Sequence, residues 1–387
     1  MSTVTCVAPV NIAVIKYWGK RDETLILPAN DNLSLTLDTH QLCAKTTVMT
    51  SPTFKEDCIW LNGMKEDIRN PRLQKCLAEI RKRAASSTNL IKWKIHICSE
   101  NNFPTAAGLA SSAAGYACLV SALAKLYNVK DDISSIARVG SGSACRSVMG
   151  GFVKWSMGSE PNGEDSIATQ IAPASHWPEM RALILVVNDK KKKISSAVAM
   201  KRTIETSELI KHRIKYSVPD RMIKMEQAII QKDFRTFAEH TMKDSNQMHA
   251  VCLDAYPPCV YMNDISHAVT DLVHSYNEAI GDTKVAYTFD AGPNATLYLL
   301  EENVAEFMGL IDYFFPPLEN GSPEYSKGLP IKAVKPPQGL LDKIKASKHN
   351  PGSFKYIIYT QVGEGPTYLN DPKYHLLNEQ GLPVNQA

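Results

Sequence analysis

A chain of 387 residues has room for two domains with real cores, because single domains cluster at about 100–200 residues. With 44% hydrophobic and 21% charged residues and a formal net charge of +3, the composition is that of an ordinary globular protein, and it does not call for nucleic acid as a partner. The nine cysteines are odd in number and include no Cys-x-x-Cys pair, and no apolar leader occupies residues 1–10, so a reducing compartment, with the cytoplasm as default address, is expected.

Residues 4–10 read as a strand that runs into Asn11-Ile12-Ala13-Val14-Ile15-Lys16-Tyr17-Trp18-Gly19-Lys20. Lys16, Tyr17, Lys20 and Arg21 crowd one short segment there, which suits either a solvated cationic turn or an anion-binding edge. Alternating apolar positions over 33–48 suggest further strands, and 71–84 reads as a helix with Leu73, Leu77 and Ile80 on one face. Ile91, Trp93, Ile95 and Ile97 alternate with Lys92, Lys94, His96 and Cys98, the period of a strand. The stretch 104–115, Pro-Thr-Ala-Ala-Gly-Leu-Ala-Ser-Ser-Ala-Ala-Gly, follows, and almost every side chain in it is tiny. A helix beginning near Ser111 or Ser112 would present unpaired amides and the positive end of its dipole, a cradle for phosphate. Close helix packing is the competing structural reading of the same small residues. No charge lies between Glu100 and Lys125, but Pro104, Gly108, Ser111 and Ser112 interrupt the apolar run, so no membrane span is expected. The pattern is neither Gly-x-x-x-x-Gly-Lys-Ser/Thr nor Gly-x-Gly-x-x-Gly, and a P-loop or a dinucleotide fold loses support.

Further on, Asp131 and Asp132 are expected to cap a short helix through Val139. Gly140-Ser141-Gly142-Ser143-Ala144-Cys145-Arg146-Ser147 then offers a second anion site. Arg146 can hold a carboxylate through two parallel hydrogen bonds, although a surface salt bridge is the commoner fate of an arginine. Residues 155–163 read as a polar hairpin turn, and 183–187 as a buried strand ending at Asn188-Asp189, which places the expected domains at 1–187 and 188–387. The lysines of 190–193 read as a solvated turn, with phosphate attraction as the alternative. Residues 206–237 carry helical spacing, including Met222, Met225, Ala228, Ile229 and Ile230, and the methionines are expected as core filler. His240, His249, His267 and His274 form no His-Glu-x-x-His pattern, so no protein zinc site is indicated. In 241–250, Asp244 and Asn246 either shape a cleft or cap and cross-link helices. Residues 284–289 read as a strand, Asp290-Ala291-Gly292-Pro293-Asn294 as a turn and 295–300 as the returning strand. A carboxylate on a hairpin tip is ordinarily a turn former. Connections at 320–328 and 336–339, a strand at 355–361 and a polar tail complete the chain, without internal repeats.

Residues 104–113 resemble the phosphate loop, Pro-x-x-x-Gly-Leu-x-Ser-Ser-Ala, of the superfamily of galactokinase, homoserine kinase, mevalonate kinase and phosphomevalonate kinase. Ala8-Pro9-x-Asn11-Ile12-Ala13-x-Ile15-Lys16-Tyr17-Trp18-Gly19-Lys20 resembles the diphosphomevalonate decarboxylase family specifically, since kinase relatives generally lack the Lys-Tyr-Trp-Gly-Lys portion. The segments 140–147, 241–250 and 290–294 are similar to the same family, so the resemblance spans residues 8 to 366.

The resemblance implies an α+β, two-domain small-molecule-kinase fold with a deep cleft between the domains. It implies ATP-dependent decarboxylation of (R)-5-diphosphomevalonate to isopentenyl diphosphate, ADP, phosphate and carbon dioxide, in the mevalonate pathway of isoprenoid and sterol biosynthesis. Asp290 would accept or orient the 3-hydroxyl proton, with Lys16 beside it. Arg146, helped by Asn11, would hold the substrate carboxylate, while Tyr17, Lys20, Ser141 and Ser143 grip the diphosphate. Ser112 and the amides of Ala107, Gly108, Leu109, Ala110 and Ser111 would cradle ATP. Mg²⁺ would travel on ATP with help from Ser112 and without a dedicated protein site. ATP contacts outside the phosphate loop are marked by no pattern. A homodimer is implied, without a membrane or nucleic-acid partner, and peroxisomal delivery stays open although 385–387 is not a Ser-Lys-Leu type of signal. A phosphomevalonate decarboxylase, a kinase of the same superfamily and a non-catalytic ligand sensor are the alternative readings.

Overall fold

The structure, a computed structural model, describes residues 1–84, 89–103, 111–187, 193–318 and 325–384. Its first sheet orders six strands as Thr367–Tyr368, Ser2–Pro9, Cys43–Ser51, Lys94–Asn101, Cys58–Leu61 and Met64–Glu66. Ser2–Pro9 and Cys43–Ser51 pair antiparallel from Ser2 opposite Thr50 to Pro9 opposite Cys43. The helix Ser111–Leu126 lies on this sheet and buries Ala113, Ala114, Ala117, Cys118 and Ala122. Small side chains let it approach until the Cys118 thiol donates to the Cys6 carbonyl at 3.0 Å. The small residues of Ser111–Leu126 thus serve close helix packing, and residues 104–110 of the stretch lie outside the described residues. Among the described residues no helix is long and apolar enough to cross a membrane.

A second sheet, Ala168–Ala172, Phe152–Trp155, Asn32–Thr36 and Asn11–Ile15, carries Asn11 on its edge strand. A third contains Val285–Phe289, Ala295–Leu300, Met180–Val186, Tyr356–Gln361 and Ser326–Gly328, with Met180–Val186 buried throughout. Helices Val218–Gln231 and Phe234–Asp254 pack together, and Phe234–Asp254 also covers Val285–Phe289. Met222 and Met225 are buried among them, as core filler should be, whereas Ile230 points to solvent at 54% exposure. The mixed helix and sheet architecture expected from the sequence is the one adopted.

Met180–Val186, which precedes the expected division at 187/188, is hydrogen-bonded into the third sheet. Thr367–Tyr368 returns to the first sheet beside Ser2–Pro9. The strand expected from Ile91 begins only at Lys94, where the ladder to Ser51 opens, and Asn89–Lys92 is a 3₁₀ turn. Of the connection at 320–328, Ser326–Gly328 is a strand parallel to Tyr356–Gln361, and the Pro336–Gly339 connection gives way to a helical turn at Gln338–Leu341. Between Leu209–His212 and Val218–Gln231 the chain widens to a π-helical stretch, Arg213–Ser217, a feature frequent at functional sites.

Candidate active site

Lys16 and Asp290, 274 positions apart, meet with Nζ donating to Oδ1 at 2.6 Å. Asp290 stands at the end of Val285–Phe289, and Lys16 follows Asn11–Ile15. Their exposures differ: the Lys16 side chain is 3% accessible and that of Asp290 37%, so the carboxylate looks into the cleft while the ammonium supports it from behind. The Lys16 main chain is held on both sides. Its N–H donates to Asp244 Oδ2 at 2.7 Å, and its carbonyl accepts from Asn30 Nδ2 at 3.1 Å and Arg213 Nη2 at 3.2 Å. Asp244 is fully buried and takes two hydrogen bonds from Arg213, at 2.8 and 3.0 Å, and one from Arg221 at 3.0 Å. Burial alone would raise its pKa, but the Arg213 charge and hydrogen bonds, the Lys16 amide and Arg221 outweigh it and hold the carboxyl below the usual range. Of the two readings of 241–250, Asp244 follows the cross-linking one. Asn246 accepts from the Tyr287 hydroxyl at 3.1 Å.

Arg146 sits in the short turn Ala144–Ser147, 2% exposed, facing the second sheet. Its Nε donates to Ser34 Oγ at 2.8 Å and more weakly to Asn11 Oδ1, Nη2 donates to Asn11 Oδ1 at 3.1 Å, and Nη1 donates to Asn32 Oδ1. Asn11 is itself fixed, donating to Ser147 Oγ at 2.7 Å and to the Ser143 carbonyl at 3.1 Å. Every one of these partners is neutral, and among the described residues no carboxylate forms an ion pair with Arg146. Burial pulls its pKa down and the charge of Asp290 pushes the other way, yet a guanidinium stays charged, so the site holds a buried positive charge that is hydrogen-bonded only to neutral acceptors among the described residues. Tyr17 packs on Trp155 with ring centroids 4.7 Å apart, and its buried hydroxyl has no hydrogen-bond partner among the described residues. Burial raises that phenol well above its usual pKa, so it is a donor at neutral pH.

These groups line one cavity of about 410 Å³. Asn11, Lys16, Tyr17, Lys20, Ser111, Ser112, Ser141, Ser143, Arg146 and Asp290, all expected from the sequence, are on its wall. Lys20 Nζ pairs with Glu23 at 2.5 Å, and the hydroxyls of Ser112 and Ser141 lie 3.3 Å apart. Gly19 makes this turn with φ +93°, where a side chain would be strained and a Cβ would meet Ile204. Ala107, Gly108, Leu109 and Ala110 lie outside the described residues, as do 190–192 of the lysine run.

The wall also holds Arg72, Ser195, Ser196 and Met200, which the sequence reading missed. Arg72 had a signal. It stands in the first turn of Pro71–Arg83, capped by Asn70, where the helix dipole disfavours a cation and some other benefit must hold it. Ser195 caps Ser196–Thr206 by accepting from the Val198 amide, a start pattern readable in advance. A second cavity of about 270 Å³ shares Ser111 and Ser112 with the first and is bounded by Leu61, Asn62, Leu73, Tyr116 and Leu119.

Comparison with known proteins gives a consistent result. Residues 8–168 match the family model "Diphosphomevalonate decarboxylase-like N-terminal domain", and residues 182–369 match "Mevalonate 5-diphosphate decarboxylase C-terminal domain". The diphosphomevalonate decarboxylase of Homo sapiens is 54% identical over 396 residues, covering 100% of this chain and 98% of its own length. The mevalonate diphosphate decarboxylase structure from Trypanosoma brucei superposes with a TM-score of 0.87 at 39% identity, over 97% of this chain and all of that one. A structure described as "MDDEF in complex with MVAPP, AMPPCP and Magnesium" superposes with a TM-score of 0.73 at 32% identity, over 95% and 99% of the two chains.

Proposed function

The chain belongs to the diphosphomevalonate decarboxylase family, and on that premise we propose how its cleft converts (R)-5-diphosphomevalonate and ATP into isopentenyl diphosphate, ADP, phosphate and carbon dioxide. It is an ATP-dependent carboxy-lyase of the mevalonate route to isoprenoids. The relatives compared are decarboxylases of the diphosphate, so a kinase, a monophosphate decarboxylase or a sensor is not favoured. The observation that carries the mechanism is the charge of the described cavity wall: four cations, Lys16, Lys20, Arg72 and Arg146, face one carboxylate, Asp290. That balance suits a substrate bearing a diphosphate at one end and a carboxylate at the other.

The tertiary 3-hydroxyl is a poor leaving group, so it is first phosphorylated. Asp290 takes or orients the hydroxyl proton as the oxygen attacks the γ-phosphorus of ATP, and Lys16 offsets the charge on the transferring group. The C3–O bond then breaks, releasing phosphate. The electron pair of the bond to the carboxylate forms the C2=C3 alkene as carbon dioxide leaves. Arg146, oriented by Asn11, holds that carboxylate in line. The unpartnered Tyr17 hydroxyl, Lys20, Ser141, Ser143 and Arg72 bind the diphosphate. Most of the rate enhancement then comes from positioning and fixed charge.

Ser112 and the first amides of Ser111–Leu126 receive ATP phosphates, and the apolar second cavity beside them takes the nucleoside. Among the described residues no group of three or more His, Cys, Asp or Glu could hold a metal, and a lone hydroxyl such as Ser112 Oγ suits Mg²⁺ already carried by the nucleotide. That ion would neutralise charge on the phosphate oxygens. A cytoplasmic homodimer is part of the same proposal.

The test follows phosphate and carbon dioxide release together, with ATP, Mg²⁺ and diphosphomevalonate. Equal release by the wild type and a loss of about 10²–10⁴ in Asp290→Asn are expected. ADP formation without carbon dioxide would overturn the reading.

A further inference from the structure

We propose that one face of the helix Phe234–Asp254, through Asp244, Ser245 and His249, is the positioning device that aligns Lys16 with Asp290. The inference rests on the catalytic reading of that pair and adds residues to which the mechanism assigns no step. Asp290 follows Phe289, whose main chain and ring both end on this helix. The Phe289 amide donates to Ser245 Oγ at 2.9 Å, and the His249 ring packs edge-on against the Phe289 ring. Residues 245 and 249 are one helical turn apart and therefore share a face. Asp244 on the same turn accepts from the Lys16 amide at 2.7 Å. Two main-chain anchors, Asp244 and Ser245, and the His249 ring, all on one helix, thus fix the chain under both partners of the 2.6 Å pair, although Lys16 and Asp290 come from different sheets.

His249 is suited to this and not to proton transfer. It is 8% exposed, stands edge-on to Phe289 with ring centroids 6.3 Å apart, and its buried Nε2 has no hydrogen-bond partner among the described residues. Burial and then the nearby Lys16 charge lower its pKa to about 4, so at neutral pH it is an uncharged ring packed on Phe289.

The test compares His249→Leu, which removes the aromatic edge against Phe289, with His249→Phe, which retains one, and with Ser245→Ala, which removes the acceptor of the Phe289 amide. Misplacing a reacting group by about 1 Å can cost about 10²-fold, so His249→Leu and Ser245→Ala are expected to lower kcat by about 10-fold or more, with KM for both substrates within about 2-fold. His249→Phe should recover most of kcat. In the Asp290→Asn background, His249→Leu should take nothing further from the residual rate. If His249→Leu does not fold, Ser245→Ala carries the same kcat and background comparison. Wild-type kcat in Ser245→Ala and His249→Leu, a KM effect as large as the kcat effect, or full additivity with Asp290→Asn would overturn the proposal. An Asp290→Asn enzyme as fast as the wild type would instead sink the catalytic reading beneath it.

Discussion

Replacing Arg146 by lysine keeps the charge and removes the fork, which makes it the sharpest probe of the decarboxylation half of the reaction. A guanidinium has five N–H groups. In the structure the Nε–H is shared between Ser34 and Asn11, one N–H of Nη1 goes to Asn32 and one of Nη2 to Asn11. One N–H on each terminal nitrogen is left, the pair that a carboxylate accepts bidentately. A lysine has three N–H groups on one nitrogen, and satisfying the buried oxygens of Asn11, Asn32 and Ser34 would occupy all of them. Losing the charged hydrogen bonds to the substrate carboxylate should then remove about 3 kcal/mol of transition-state stabilisation, or about 10²-fold in kcat/KM for diphosphomevalonate. The assay measures carbon dioxide and ADP together at varied substrate, with KM for ATP expected to stay unchanged. An Arg146→Lys enzyme within about threefold of wild type, or one whose main defect is in KM for ATP, would refute the reasoning.

Asp244→Asn strands Arg213, which is fully buried, and should lower stability by about 3–5 kcal/mol as well as slow turnover through the Lys16 amide. Because the folded pKa of Asp244 lies below the ordinary 3.8, its contribution is complete above that value and drains away as pH falls through the lower folded one. Urea unfolding at neutral pH and again below about pH 4 should therefore show the gap between wild type and variant closing in acid, and a constant gap would contradict this. In Gly142→Ala the new Cβ would lie 2.8 Å from the Tyr17 ring and hydroxyl, and Trp155 blocks retreat behind it. We expect KM for diphosphomevalonate to rise by about 10-fold with a penalty of about 1–3 kcal/mol in stability, read by steady-state kinetics and thermal unfolding. An unchanged KM would show that Tyr17 does not touch the diphosphate.

Much of the site was legible because it is built from contiguous segments with unusual local composition. Lys16, Tyr17 and Lys20 stand together in ten residues, Ser141, Ser143 and Arg146 in another eight, and Asp290 in a tight turn. Strands with neighbours on both sides were placed less well, since Lys94–Asn101 is buried on consecutive residues from Ile95 to Ser99 and its alternation fades. Arg72 escaped because an arginine on a helix ordinarily faces water, and only its position in the first turn marks it as unusual.

Local sequence determined the start of the Ser111–Leu126 helix, the turn that carries Asp290 and the cationic segment after Asn11. These depend on backbone freedom, capping and side-chain size within a few residues. Only the tertiary structure decided that Lys16 reaches Asp290, that Arg146 is ringed by neutral acceptors, and that Asp244 and Ser245 accept from the Lys16 and Phe289 amides. Those facts arise from three sheets and a helix packing together, and an interaction across 274 positions leaves no periodicity in the chain to read.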